Sequence, residues 1–515
     1  MNKNKFIEAI NTSYTFKGES LIIGSAILGD DYDTQSQIKL PLKTLNRHGL
    51  IAGATGTGKT KSLQVLTEGL ANAGVPVLVM DMKGDLSGLG AAGTLNPIIE
   101  KRAQQIGINW QPQAFPLEFL TISDEPGTKL KATVSEYGPL LLGKILELND
   151  SQCGVLSMIF KFCDDHGLAL LDLKDLKSVI KYIQEDGKEA FSKEYGFVHS
   201  NSAGTILRSI ISLEQQDGDK IFCEPSFEIE DLMQINDNNV GIINVLRLTD
   251  MQSRTSLFST FMLCLLAEIF QKMPEQGDAD KPKLVIFIDE AHLVFKNASK
   301  NLIDQLEMTV KLIRSKGVGL FFVTQSPDDI PSAILGQLGT KIQHSLRAFT
   351  ANDRKAIKAA SENYPISEFY KVNELITEMG IGEALVTTLD EKGRPTELAH
   401  TLMTPPRSRM DVLSPAEITR IVKQSELVDK YNQDLDRESA YEILTNRMNA
   451  HEIETSTRNL EKESMQKPAR SNEKSTFEQI LKSPVTNTIV RELARGLLGV
   501  LGLKSTTTHA RSRRR

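Results

Sequence analysis

Cysteine is scarce in this chain. Four occur in 515 residues, at Cys153, Cys163, Cys223 and Cys264, and none stands in a C-x-x-C spacing. That distribution excludes a disulfide framework and a thiolate zinc site and suits a reducing compartment. Long hydrophobic runs are missing too. The longest apolar stretch, residues 257–270, includes Ser259, Thr260 and Glu268 and is too short to cross a bilayer, so a buried helix is expected there. The opening MNKNKFIEAINTSY lacks the apolar centre of a secretory leader. A cytoplasmic protein with no transmembrane segment is the expectation. Positive charge is also short, with 60 Lys and Arg against 66 Asp and Glu, and it is unevenly spread. Residues 451–515 hold 13 basic against 7 acidic side chains, which leaves 47 against 59 in the remainder. An acidic body disfavours a broad nucleic-acid footprint while allowing a few basic loops around a pore.

Against these absences, residues 48–62 read HGLIAGATGTGKTKS. Gly53, Gly58, Lys59 and Thr60 fill the pattern G-x-x-x-x-G-K-[ST], between a short apolar strand and a helical run from about residue 61 to 73. Glycines let the backbone wrap a phosphate so that successive N–H groups point inward, and the helix offers its positive dipole end. Gly53, Ala54, Thr55, Gly56, Thr57, Gly58, Lys59, Thr60 and Lys61 are therefore the candidate nucleotide-binding residues. Lys59 would reach the β- and γ-phosphates, and the Thr60 hydroxyl would coordinate Mg²⁺.

Residues 284–290, LVIFIDE, read as a buried strand ending in adjacent carboxylates. Asp289 is placed to hold Mg²⁺ with Thr60, and Glu290 to orient and deprotonate the water that attacks the γ-phosphate. The next strand, 319–325, ends on Gln325, a polar residue suited to sensing the γ-phosphate. His292 is expected as a structural hydrogen-bonding group, because the His and Cys positions give no metal set. No N-K-x-D sequence of the guanine-reading kind occurs, so ATP is the expected nucleotide.

Apolar runs at 75–81, 117–122, 240–246, 284–288, 319–324 and 341–349, separated by helical patterns, imply βαβ units and a mainly parallel sheet. The expected fold is an α/β P-loop NTPase, with a hairpin over 382–402 closing its core. The expected organisation is a short β-rich segment at 1–47 and an ATPase core at 48–123 and 236–404. A helical insertion fills 124–235, with Asn149 and Asp172 at N-cap positions, and a helical extension follows at 405–450. Arg208 and Arg254 could face a phosphate, but a solvated helix face is the favoured reading. Residues 451–484 lose periodicity and read as a disordered linker, and 485–515 as an amphipathic helix with a basic tail.

Taken together, HGLIAGATGTGKTKSLQ, VLVMDMKGDLSG, LVIFIDEAHLVF, LIRSKGVGLFFVTQSPDDIP and QHSLRAFTANDRKA resemble the HerA/FtsK superfamily of P-loop motor ATPases. Within it, the chain is similar to a bacterial group described by a helicase HerA-like C-terminal domain. The resemblance spans roughly residues 20–445. It implies an ASCE, RecA-like core, a homo-oligomeric ring (usually a hexamer), ATP hydrolysis between neighbouring subunits, and movement along DNA as a translocase or helicase. It also implies an arginine that reaches a neighbour's γ-phosphate, for which Arg314 and Arg347 both qualify, Arg347 being preferred because it sits in a strand-like run. HerA itself carries a β-barrel ahead of its P-loop, and the stretch before His48 is short for one. Two other classes stay open: a nucleotide-controlled scaffold that captures a protein partner through the C-terminal tail, and a secretion- or conjugation-type ATPase.

Overall fold

The computed structural model describes residues 3–450, apart from 30, 252, 253, 278, 297, 299, 348, 349, 434 and 436. The linker and terminal helix expected at 451–515 lie outside the described residues. Contacts divide the chain into Met1–Asn446 and Arg447–Arg515, and every strand among the described residues belongs to the first unit.

Twelve strands form one sheet. In chain order they are β1 (Ser20–Leu28), β2 (Asp31–Pro41), β3 (Gly49–Ala52), β4 (Val77–Asp81), β5 (Leu117–Thr121) and β6 (Thr128–Lys129), followed by β7 (Ile243–Arg247), β8 (Leu284–Ile288), β9 (Val318–Thr324), β10 (Thr340–His344), β11 (Glu383–Thr387) and β12 (Ala399–Met403). Their spatial order is β2-β1-β12-β11-β10-β3-β9-β8-β4-β7-β5-β6. From β10 to β6 all neighbours are parallel, and β11, β12, β1 and β2 add an antiparallel edge. One strand, β9, separates the P-loop strand β3 from the carboxylate strand β8, so this is an α/β P-loop fold with the inserted central strand.

The central strands are apolar on both faces because both are covered. Side chains alternate across the sheet, so Leu78, Met80, Ile286 and Ile288 join one core cluster while Val77, Val79, Val285 and Phe287 join the other. The first cluster also takes Leu156, Ile159, Leu176, Ile180, Ile206 and Ile210 from helices Asp150–His166, Leu173–Gln184 and Ser200–Glu214. Asn149 and Asp172 cap two of these helices, each accepting a backbone N–H three residues on. The second cluster takes Leu63, Leu66 and Leu70 from the helix Lys59–Asn72. Full burial of each such side chain is worth about 1.5–3 kcal/mol.

The N-terminal segment holds an element not foreseen from sequence, a helix over Lys3–Ser13. It buries Phe6 and Ile10, one turn apart, too few apolar positions to stand out in a polar run. The Tyr14 hydroxyl, buried just beyond it, donates towards the carbonyls of Val386 and Glu397 and pins this helix to the hairpin of β11 and β12.

His48 sits at the foot of β3. Its Nε2 lies 2.8 Å from the Val310 carbonyl, and its Nδ1 accepts the Leu320 N–H at 3.0 Å, which requires the neutral ring. Burial pushes its pKa down to about 4, with Arg314 adding to the effect. Burial also lowers His344 to about 4. A depressed histidine pKa means the unfolded chain takes up the proton first. Stability is therefore full above pH 6.5 and falls towards pH 4, by up to about 1.4 kcal/mol per pH unit for each ring. Urea midpoints measured between pH 7 and 5 check this. The wild type should lose stability more steeply than His48→Gln, and parallel slopes would contradict the assignment.

Candidate active site

Parallel register brings four strand ends to one edge of the sheet. Ala52 of β3 pairs with Thr324 of β9, Ile288 of β8 with Phe322 of β9, and Met80 of β4 with Ile288. The next residues along these strands include Gly53, Gln325, Asp289 and Asp81. Motifs hundreds of residues apart in sequence thus converge by strand pairing alone.

The P-loop runs from Gly53 to Gly58, with φ of +153° at Gly53, +79° at Gly56 and +120° at Gly58. A Cβ at Gly53 would lie 2.5 Å from the Cβ of His344, so only glycine fits there. Gly58 is the N-cap of the helix Lys59–Asn72 and brings no side-chain acceptor to the first-turn N–H groups. The loop is braced from β10 and β11. The Ala54 N–H donates to the Ser345 carbonyl, the Gly382 N–H donates to the Thr57 carbonyl, and the Ser62 hydroxyl meets His344 Nε2 at 2.9 Å. The Lys59 ammonium donates to the carbonyls of Gly53 (2.6 Å) and Ala54 (3.1 Å). Burial and the neighbouring Lys83 charge lower the Lys59 pKa, while Glu290 and Asp289 oppose them. Lys61 points aside, towards Gln64 and the Met410 carbonyl.

Beside the loop, Asp81, Asp85 and Asp289 each offer a carboxylate oxygen within 4.8 Å of the others. The Thr60 hydroxyl lies 3.4 Å from Asp85. Burial, reinforced by Glu290 and Asp85, lifts Asp289 to about 7, against the pull of Lys83. Asp289 Oδ2 and Asp85 Oδ1 are buried without a hydrogen-bond partner. Crowded acids with unpartnered oxygens beside a P-loop hydroxyl fit a hard divalent cation such as Mg²⁺, with Thr60, Asp85 and Asp289 as the residues to hold it.

Glu290 follows with φ +46°, an unusual backbone for a glutamate. Its buried carboxylate forms an ion pair with Lys83, and His292 Nδ1 stands 3.1 Å away. Burial works to raise its pKa, but the Lys83 bond and charge, with His292 and Lys59, hold it below the usual carboxylate range.

Ala54, Thr55, His292, Gln325 and Arg347 line a cleft of about 550 Å³ next to the P-loop. The structure thus brings the P-loop residues, Asp289, Glu290, Gln325 and Arg347 to one edge. Arg314 is elsewhere. It opens the turn Arg314–Lys316 before β9, at the opposite ends of the strands. The length of β9 is a separation of roughly 20 Å. Arg254 pairs with Asp217, and Arg208 donates to Thr205.

Lys83 and Asp85 lie within VLVMDMKGDLSG but were not singled out from sequence as site residues. Their significance depends on β4 lying beside β8, which periodicity does not disclose. The available signal was a basic and an acidic residue immediately after a buried strand that ends in Asp81.

A family model described as helicase HerA-like C-terminal matches residues 27–506. The DNA double-strand break repair helicase HerA of Sulfolobus acidocaldarius is 22% identical over 366 residues, 70% of this chain and 66% of its own. A probable helicase of Methanocaldococcus jannaschii is 25% identical over 382 residues, 68% of this chain and 66% of its own. The chain spans just under two thirds of the length of these relatives. Among solved structures, the bacterial conjugative coupling protein TrwBdeltaN70 superposes with a TM-score of 0.51 at 16% identity, over 79% of this chain and 94% of its own. TrwB bound to the GTP analogue GDPNP gives 0.50 at 14% identity, over 78% and 99%. These likenesses concern the fold. With nearly its whole length matched by the family model, the chain belongs to the helicase HerA-like C-terminal family.

Proposed function

We propose that this protein is an ATP-hydrolysing, oligomeric motor of the HerA type that acts on DNA. The observation that carries the reading is the convergence of Lys59, Thr60, Asp289, Glu290 and Gln325 on one sheet edge. Lys59 and the loop N–H groups would hold the β- and γ-phosphates, and Thr60, Asp85 and Asp289 would hold Mg²⁺. Bound there, Mg²⁺ supplies positive charge to the phosphate oxygens. Glu290 would take the proton of the attacking water as its oxygen bonds to the γ-phosphorus and the bond to the ADP oxygen breaks. Gln325 and Arg347 line the cleft within the same chain, so they are suited to sensing the γ-phosphate in cis. Arg314, a strand's length away, is suited to the neighbouring subunit's site. That division fits a ring, the hexamer being the expected form.

DNA as substrate rests on the relatives, of which the Sulfolobus protein is a DNA double-strand break repair helicase. No helix among the described residues is long and apolar enough to cross a membrane. The test is steady-state phosphate release with and without double-stranded DNA at several salt concentrations. The expected result is several-fold stimulation that weakens as salt rises. Turnover that no DNA stimulates at any salt would remove the DNA motor and leave an ATPase.

A further inference from the structure

Lys83 is a cation at this edge that the phosphate-binding motif does not account for. It lies on the turn after β4, and Asp81 ties that turn together. One carboxylate oxygen of Asp81 accepts the N–H groups of Lys83 (3.2 Å), Gly84 (2.7 Å) and Asp85 (3.3 Å), and the other accepts that of Leu86 (3.1 Å). Gly84, at φ +78°, lets the chain reverse within this knot. A turn fixed by four backbone bonds gives Lys83 a defined direction, and its ammonium meets the Glu290 carboxylate.

The pair is unequal. The Glu290 side chain is 8% exposed, whereas that of Lys83 is 39% exposed and can move. Four carboxylates (Asp81, Asp85, Asp289 and Glu290) face two ammonium groups there, and Lys59 is already bonded to the P-loop carbonyls. Without Lys83, the charges of Asp289 and Asp85 would push the Glu290 carboxylate away from its place.

We propose that Lys83 is the positioning residue for Glu290, holding the carboxylate on the phosphate side of the sheet edge, where it meets the attacking water. The assignment rests on the hydrolytic reading above. Lys83 acts through Glu290, so its removal should slow the chemical step without loosening nucleotide.

The test uses the full chain with Lys83→Met, Lys83→Arg, Glu290→Gln and the double variant Lys83→Met/Glu290→Gln. Thermal unfolding and affinity for a non-hydrolysable ATP analogue confirm that each folds and binds. Lys83→Met is expected to lower kcat about tenfold to hundredfold with KM nearly unchanged, and Lys83→Arg to restore most of it. In single-turnover assays, Lys83→Met should add almost nothing once Glu290 is already glutamine. A Lys83→Met enzyme with wild-type kcat, a raised KM at unchanged kcat, or a full additional loss in the double variant would each overturn the assignment. A wild-type chain without turnover would instead overturn the hydrolytic reading, and this assignment with it.

Discussion

Glu290→Gln is expected to bind ATP as the wild type does and to lose about 10²–10⁴ of its turnover. The substitution keeps the size and shape of the side chain and makes the same demand on the left-handed backbone at this position. An amide does not accept the proton of an attacking water, so the loss falls on the chemical step. The carboxylate is suited to that step because it is buried, ion-paired with Lys83 close to His292, and held ionised by the charges around it. Fluorescent-nucleotide affinity and phosphate release, measured on one preparation, separate the two effects. Phosphate release close to the wild-type rate would refute the role of Glu290.

Lys59→Ala should fail differently, weakening both nucleotide affinity and turnover. Its ammonium bridges the carbonyls of Gly53 and Ala54, so it shapes the loop as well as supplying charge. Removing a preorganised cation of this kind costs about 10²–10³ in rate. The fold should survive, because Lys59 is held against its own preference by burial and by the Lys83 charge. Calorimetric titration with Mg·ATP and with a non-hydrolysable analogue is the measurement. Undiminished affinity would show that triphosphate is gripped elsewhere.

The two halves of this site differ in how they could be read from sequence. The P-loop is local: glycine spacing, a four-residue strand and a helix start lie within one short stretch, and each residue's chemistry follows from its position. LVIFIDE is equally local, since an apolar run closing on two acids describes its own burial. Lys83 and Asp85 are different, because their meaning comes from the neighbour of β4, and strand order is a property of the folded sheet. The two arginines show the same limit. Arg314 and Arg347 each follow or precede an apolar run, and only topology reveals that one lies beside the loop and the other at the far strand ends. The helix Lys3–Ser13 was hidden for another reason, since its two buried residues give a pattern too short to rise above a polar background.

The placement of β3 has a consequence for biosynthesis. Ala52 pairs with Thr324 on one side and with Gln343 on the other, so both partners of the P-loop strand are made long after it. A ribosome-bound chain that has not yet emitted residue 344 holds the whole glycine motif but lacks at least one of the two strands that seat it. Closing so distant a pairing is slow and leaves apolar strands uncovered meanwhile. Nucleotide capture is thus a late event in the life of the nascent polypeptide, and fragments ending before β10 should be inert towards ATP however intact their motif.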